Sequence, residues 1–230
     1  MNYTTLYNMI QSYTENQFPD VYLASGSTVS ATTQINTFIT QAEQRIYNSV
    51  QFPSIRKNVT GTATSGNKYL ACPTDFLAVY SMAVIDATGA YEYLLNKDVN
   101  FIRQAYPTPT DTATPKYYAL FGPQSSDLKE LTFILGPTPD ASYNVELHYY
   151  YYPESITTVS GEQTWLGDNF DTVLLYGSLV EAYTFMKGEA DILGLYDTKF
   201  KEALALAKRL GDGMERQDAY RSGQFRQAVT

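Results

Sequence analysis

The sequence predicts an α+β protein: helices from the two chain ends form a helical bundle, and an antiparallel β domain is inserted between them. Three observations carry this. Apolar residues recur at helical spacing before Gln51 and again after Pro153. Between these segments the period is two, with many β-branched and aromatic residues. The segment 170–187 is apolar nearly all round, so a helix there needs neighbours on several sides, and the helices at the other end of the chain can supply them.

The first helix is read over residues 3–15, where Leu6, Ile10 and Tyr13 make one apolar stripe; Pro19 follows its end. A Ser/Thr/Gly-rich loop is expected from Ala24 to Thr33. The second helix carries Ile35, Phe38, Ile39, Ala42, Ile46 and Val50 on one face, and Gln41, Glu43, Gln44 and Asn48 on a polar one. Strands are expected at 57–64, 68–72 and 76–85, with a turn at Ser65-Gly66-Asn67. Asp86-Ala87-Thr88-Gly89 turns the chain back into Tyr91–Leu94. Asp98 caps a short helix that stops before Pro107. A three-strand meander is expected over 116–121, 131–135 and 143–152. In its last strand Tyr143, Val145, Leu147, Tyr149 and Tyr151 share one face; Glu146, His148, Tyr150 and Tyr152 share the other.

After Pro153 the helical period returns. Asp168 or Asn169 is expected to cap the apolar helix and Gly188 to end it. A partner helix over 191–210 is expected to stop at Gly211-Asp212-Gly213, and the two form an antiparallel hairpin. The resulting organisation is 1–54 for the N-terminal helices, 55–153 for the β insertion, 154–213 for the C-terminal hairpin and 214–230 for an extended tail.

Composition narrows the chemistry. The 230 residues carry a net charge of −8, which disfavours phosphate-backbone binding and anionic membrane surfaces. One Cys excludes an internal disulfide and Cys-based zinc sites; one His excludes three-His metal sites and the HExxH pattern. No leader peptide is visible, and the longest nearly apolar stretch, 77–85, falls far short of the roughly 18 residues of a membrane span. The expected origin is therefore a cytoplasm.

Catalytic constellations are sparse. Cys72 and His148 form the one possible Cys–His pair, but Cys72 reads as a small core residue and His148 as a surface or interface imidazole. No nucleophile elbow, phosphate-binding glycine loop or calcium loop occurs, and no cofactor or metal is expected. Asp168/Asp171 and Glu189/Asp191 sit at helix starts, where the helix dipole accounts for acids. What stands out is 21 Tyr, with the run Tyr149–Tyr152 putting rings on both faces of a strand. Tyrosine combines rigid contact area with a hydrogen-bonding tip, which suits a subunit contact as well as a core.

The order of short signatures resembles one family. An amphipathic helix is followed by Pro73-Thr74-Asp75-Phe76-Leu77, Pro115-Lys116-Tyr117-Tyr118-Ala119 and Leu131-Thr132-Phe133. Then come Gly136-Pro137-Thr138-Pro139-Asp140, Val145 to Pro153, Trp165-Leu166 and a Leu/Tyr-rich helix with Glu181-Ala182. Over about residues 30 to 210 this resembles the head-to-tail adaptor proteins of short-tailed bacteriophages, the tail tubular protein A-like group. The resemblance implies a non-enzymatic virion protein that forms a ring beneath the portal, of about a dozen copies in cyclic symmetry, and joins it to the tail nozzle protein. It implies that DNA passes through without specific binding, with no membrane involved. Arg216, Tyr220, Arg221, Phe225 and Arg226 are the portal-contact candidates it suggests. His148, Tyr150, Tyr152, Tyr117 and Tyr118 are the candidates for subunit or nozzle contact. Two other classes remain open: another tail, baseplate or fibre-attachment subunit, and a glycan hydrolase working through paired carboxylates.

Overall fold

The fold is described from a computed structural model of the chain, for residues 1–108, 110–123 and 130–215. It divides into two units. One comprises Met1–Ser54 with Pro153–Thr230, the other Ile55–Tyr152, so the second is an insertion in the sequence of the first.

In the first unit, α1 (Tyr3–Thr14) is capped by Asn2, whose side-chain oxygen accepts the Thr5 N–H at 2.9 Å. It ends with Glu15 in the left-handed region, before Pro19 is reached. A small hairpin follows, β1 (Val21–Tyr22) with β2 (Thr28–Val29), and the loop expected from Ala24 to Thr33 supplies its turn and its second strand. Next, α2 (Ala31–Ser49) starts at Ser30, whose hydroxyl accepts the Thr33 N–H. Its buried stripe is the expected one, widened by a residue placed on the polar face: Glu43 is only 3% exposed. Position 43 is three residues before Ile46 and four after Ile39, on the shoulder of the stripe. The chain returning from the insertion covers that shoulder, and Glu43 accepts the Ile156 N–H at 2.9 Å.

The apolar segment forms α5 (Asp171–Met186), against which α1, α2 and α6 (Ala190–Glu215) pack. The helices meet closely at Gly177, where an added Cβ would lie 3.1 Å from Phe200 and 3.2 Å from Ala42. Two expectations about helix ends fail. Asp168 and Asn169 do not cap α5; they lie in a separate turn, α4 (Trp165–Asn169), capped by Thr164. The chain enters α5 at Phe170 with no side-chain cap, its ring instead packed near Phe52 and Trp165 at 5.1 and 5.6 Å. Aromatic packing accompanies this start, in a way that capping signals cannot register. At the other end, α6 runs straight through Gly211-Asp212-Gly213. Gly211 lies against the backbone: a Cβ there would sit 3.0 Å from the Gln51 carbonyl oxygen and 3.1 Å from Val50. That glycine serves close approach rather than termination.

The second unit holds two four-stranded sheets. Sheet I is ordered β3 (Arg56–Ala63), β10 (Tyr143–Tyr151), β5 (Phe76–Ile85), β6 (Tyr91–Tyr93). Sheet II is ordered β4 (Tyr69–Ala71), β9 (Thr132–Gly136), β8 (Tyr117–Phe121), β7 (Leu95–Asn96). All pairs are antiparallel except β7 with β8. The expected meander is therefore broken: β8 and β9 pair, but β10 crosses to sheet I and lies between β3 and β5. Burial gives the reason. Phe76, Met82, Val145, Leu147 and Tyr149 of sheet I face Tyr118, Phe133 and Leu135 of sheet II in one core. The other face of sheet II is covered by α3 (Val99–Ala105), capped by Asp98 and anchored by Ile102 against Ala119 and Ile134. Every residue of β9 is consequently buried, as expected of a strand covered on both faces.

Candidate functional site

Sheet I has one face in the core and one open. On β10 the open face carries Glu146, His148 and Tyr150, whose register partners are Thr60, Asn58 and Arg56 on β3. On the other side Ser81 of β5 lies opposite His148 and Ala83 opposite Glu146. This brings together Ser81, His148 and Glu146: the Ser81 hydroxyl is 3.4 Å from His148 Nδ1, and His148 Nε2 is 4.0 Å from Glu146 Oε1. The same carboxylate oxygen accepts from Asn58 Nδ2 at 2.9 Å. The residue types are those of a nucleophile–base–acid series, but the spacing is not. A 4.0 Å contact is no hydrogen bond, and acyl transfer further needs converging donors for an oxyanion. On a strand the N–H groups point sideways into the ladder rather than together. The cluster is a hydrogen-bonding surface patch.

Beside it lies an aromatic patch that alternation did not reveal. Between β5 and β10 the register slips twice, and the extra residues are Leu77 and Tyr80, both exposed. Each β-bulge turns one more side chain outward. The Arg56 guanidinium lies 4.7 Å over the Tyr80 ring and 5.5 Å from the centre of the Tyr150 ring, within the range of a cation–π contact. At the β6 edge Tyr91 and Tyr93 stack at 6.4 Å and are 51% and 67% exposed.

The candidates from the sequence therefore separate. His148 and Tyr150 lie together on the open face, and Tyr152, just past the end of β10, is exposed. Tyr117 is half-buried against Phe101 and Tyr106. Tyr118 belongs to the core, 6% exposed and edge-on to Phe133 at 5.8 Å, because β8 turns this ring toward sheet I. Arg216, Tyr220, Arg221, Phe225 and Arg226 fall outside the described residues. Arg56 and Tyr80 are the residues sequence reasoning left out of the surface, because the bulges that expose Tyr80 leave no mark in the spacing; Tyr91 and Tyr93, which repeat the tyrosine pattern of β10 in the sequence, are exposed.

Cys72 lies in the core between the sheets, and burial pushes its thiol up to about 12. His148 is on the opposite face of β10 from that core, so the Cys–His pair is not assembled. A second polar cluster ties β3, β5 and β10 together. Asp75, just before β5, accepts the Lys57 ammonium at 2.8 Å and the Tyr149 hydroxyl at 2.7 Å. Burial opposes the Asp75 charge, but these two donors outweigh it and hold its carboxyl below the ordinary value. Among the described residues no group of three or more His, Cys, Asp or Glu is placed to hold a metal ion.

The profile of the SU10 adaptor protein family matches residues 1–227. The chain belongs to that family. It is thus a phage adaptor-type structural protein. None of the curated proteins matches it. Among the described residues of this adaptor, no helix is long and apolar enough to cross a membrane.

Proposed function

We propose that the protein is a head-to-tail adaptor of a bacteriophage virion. In this reading copies form a ring beneath the portal protein, the ring engages the tail nozzle protein, and it forms part of the conduit for DNA ejection. The observation that carries it is the adaptor-family match over residues 1–227. The resemblance to the tail tubular protein A-like group supports the position in the tail. The charge of −8 suits a conduit, since an acidic wall repels the DNA passing through it.

Within this reading the C-terminal segment, with Arg216, Tyr220, Arg221, Phe225 and Arg226, grips the portal. The open face of sheet I, with His148, Tyr150 and Tyr152, meets a neighbouring copy or the nozzle. Aromatic and arginine side chains are the types that anchor protein interfaces, which favours these residues. Mixing the purified chain with its cognate portal ring and weighing the product by native mass spectrometry tests the reading. A stoichiometric complex that is lost on deleting residues 214–230 is expected. An intact portal that takes up no adaptor would overturn it and favour a more distal tail subunit.

A further inference from the structure

The two sheets have four edge strands, and three are defended by brevity: β6 and β4 have three residues each and β7 two. The fourth, β3, has eight residues paired to β10 in unbroken register, with no bulge. From Asn58 to Ala63 it contains no proline and no charged residue, and Asn58, Thr60, Gly61 and Thr62 are exposed. Its one lysine, Lys57, is tied to Asp75 at 2.8 Å. Edge strands are ordinarily blunted by prolines, lysines, bulges or shortness, because their free N–H and C=O groups template pairing with another strand. Among the described residues none of these devices protects the centre of β3.

We propose that the free edge of β3 pairs with β3 of a second copy, antiparallel and across a two-fold axis, joining two sheets I into one eight-stranded sheet. Charge selects both the occupant and its direction. Arg56 and Lys57 open the strand. At its far end Ser65 donates to the Asp140 carbonyl at 3.0 Å, and the Asp140 carboxylate accepts from the hydroxyl of Tyr143, the partner of Ala63, at 2.6 Å. An antiparallel copy sets the basic end of each strand against the acidic end of the other; a parallel one sets like against like. A register centred on Thr60 places Asn58 opposite Thr62 and Val59 opposite Gly61. The polar face then continues across the seam, and Val59 stays on the core side. A shift of one residue would pair Val59 with Thr62 and set the core face of one copy beside the open face of the other. The central Thr–Thr pair is a favourable cross-strand neighbour.

This pairing is isologous and closes on itself, so it cannot by itself generate a ring. It describes the chain before assembly and covers an aggregation-prone edge, and it stands independently of portal binding. The test uses the full chain. Analytical ultracentrifugation is expected to find a species of twice the monomer mass. Thr60→Lys, which sets two like charges face to face on an exposed position, is expected to return it to monomer with an unchanged circular dichroism spectrum. Thr60→Cys supplies the register readout, because a residue that faces itself across the axis sits about 4.5–5.5 Å from its copy, within disulfide range. Mild oxidation is expected to cross-link Thr60→Cys into a covalent dimer and to form no cross-link at Thr88→Cys, in the exposed β5–β6 turn. A monomeric wild type, an assembly that Thr60→Lys leaves intact, or cross-linking that is equal at both cysteines would each overturn the proposal.

Discussion

The carboxylate of Glu43 accepts the backbone N–H of Ile156 at 2.9 Å, tying α2 to the chain as it returns from the insertion, 113 residues later. Burial pushes this carboxyl above its ordinary value of 4.5, and the bond from Ile156 only partly offsets it. The folded chain therefore holds the Glu43 proton more tightly than the unfolded one. The associated stability is full below pH 4.5 and is lost as pH rises through the raised folded value. Glu43→Gln keeps an acceptor for Ile156 without the buried charge. Its melting temperature is expected to gain on wild type as pH rises above 4.5, and the two curves should run in parallel at more acid pH. Parallel curves throughout would contradict this. Glu43→Ala, which orphans the buried N–H, is expected to lose about 1–3 kcal/mol, or some ~2–4 °C in melting temperature per kcal/mol for a chain of this size.

The two glycines late in α6 are expected to respond in opposite directions. At Gly213 an added Cβ would find nothing within 4 Å, so Gly213→Ala gains helix propensity of up to about 1 kcal/mol. Gly211→Val drives carbon into the Gln51 carbonyl and Val50 and is expected to destabilise. Chemical denaturation of both variants decides it; a stabilised Gly211→Val would show that α6 is not pressed against this backbone.

Tyr149 is 1% exposed, and its hydroxyl is held by Asp75. Tyr149→Phe removes one donor while leaving Asp75 its Lys57 partner, at an expected cost of about 1 kcal/mol. Because the folded Asp75 carboxyl lies below its ordinary value of 3.8, its contribution is present above that pH and lost as pH falls through the folded value. The stability gap between wild type and Asp75→Asn should accordingly close in acid. A gap that widens there would reverse the assignment.

Cys72 is expected to resist thiol reagents in the folded protein at neutral pH. Burial both blocks access and pushes the thiol up to about 12, leaving almost no thiolate. Ellman's reagent should release one equivalent of chromophore on denaturation. Rapid reaction under native conditions would place Cys72 outside the core between the sheets.

Much of this architecture is carried by local pattern. The α2 stripe, the all-round apolar α5 and the alternation of β10 follow from residue spacing, because each periodicity reports which side of one element meets the core. Those patterns also imply the α+β class and the bundling of the two chain ends, since α5 cannot bury its surface against a single neighbour. Tertiary structure decided what spacing cannot encode. Which strand lies beside β10 depends on where Tyr149 and Leu147 can be buried, so a meander read from proximity in sequence gave way to two sheets. Glu43 sits inside because a distant backbone N–H needs an acceptor. Gly211 lies inside the last turns of α6 because the helix presses on Gln51 there. Tyr80 faces outward because two bulges break the period of β5. Each of these depends on a contact between residues far apart in the chain, and such contacts exist only once the chain has packed.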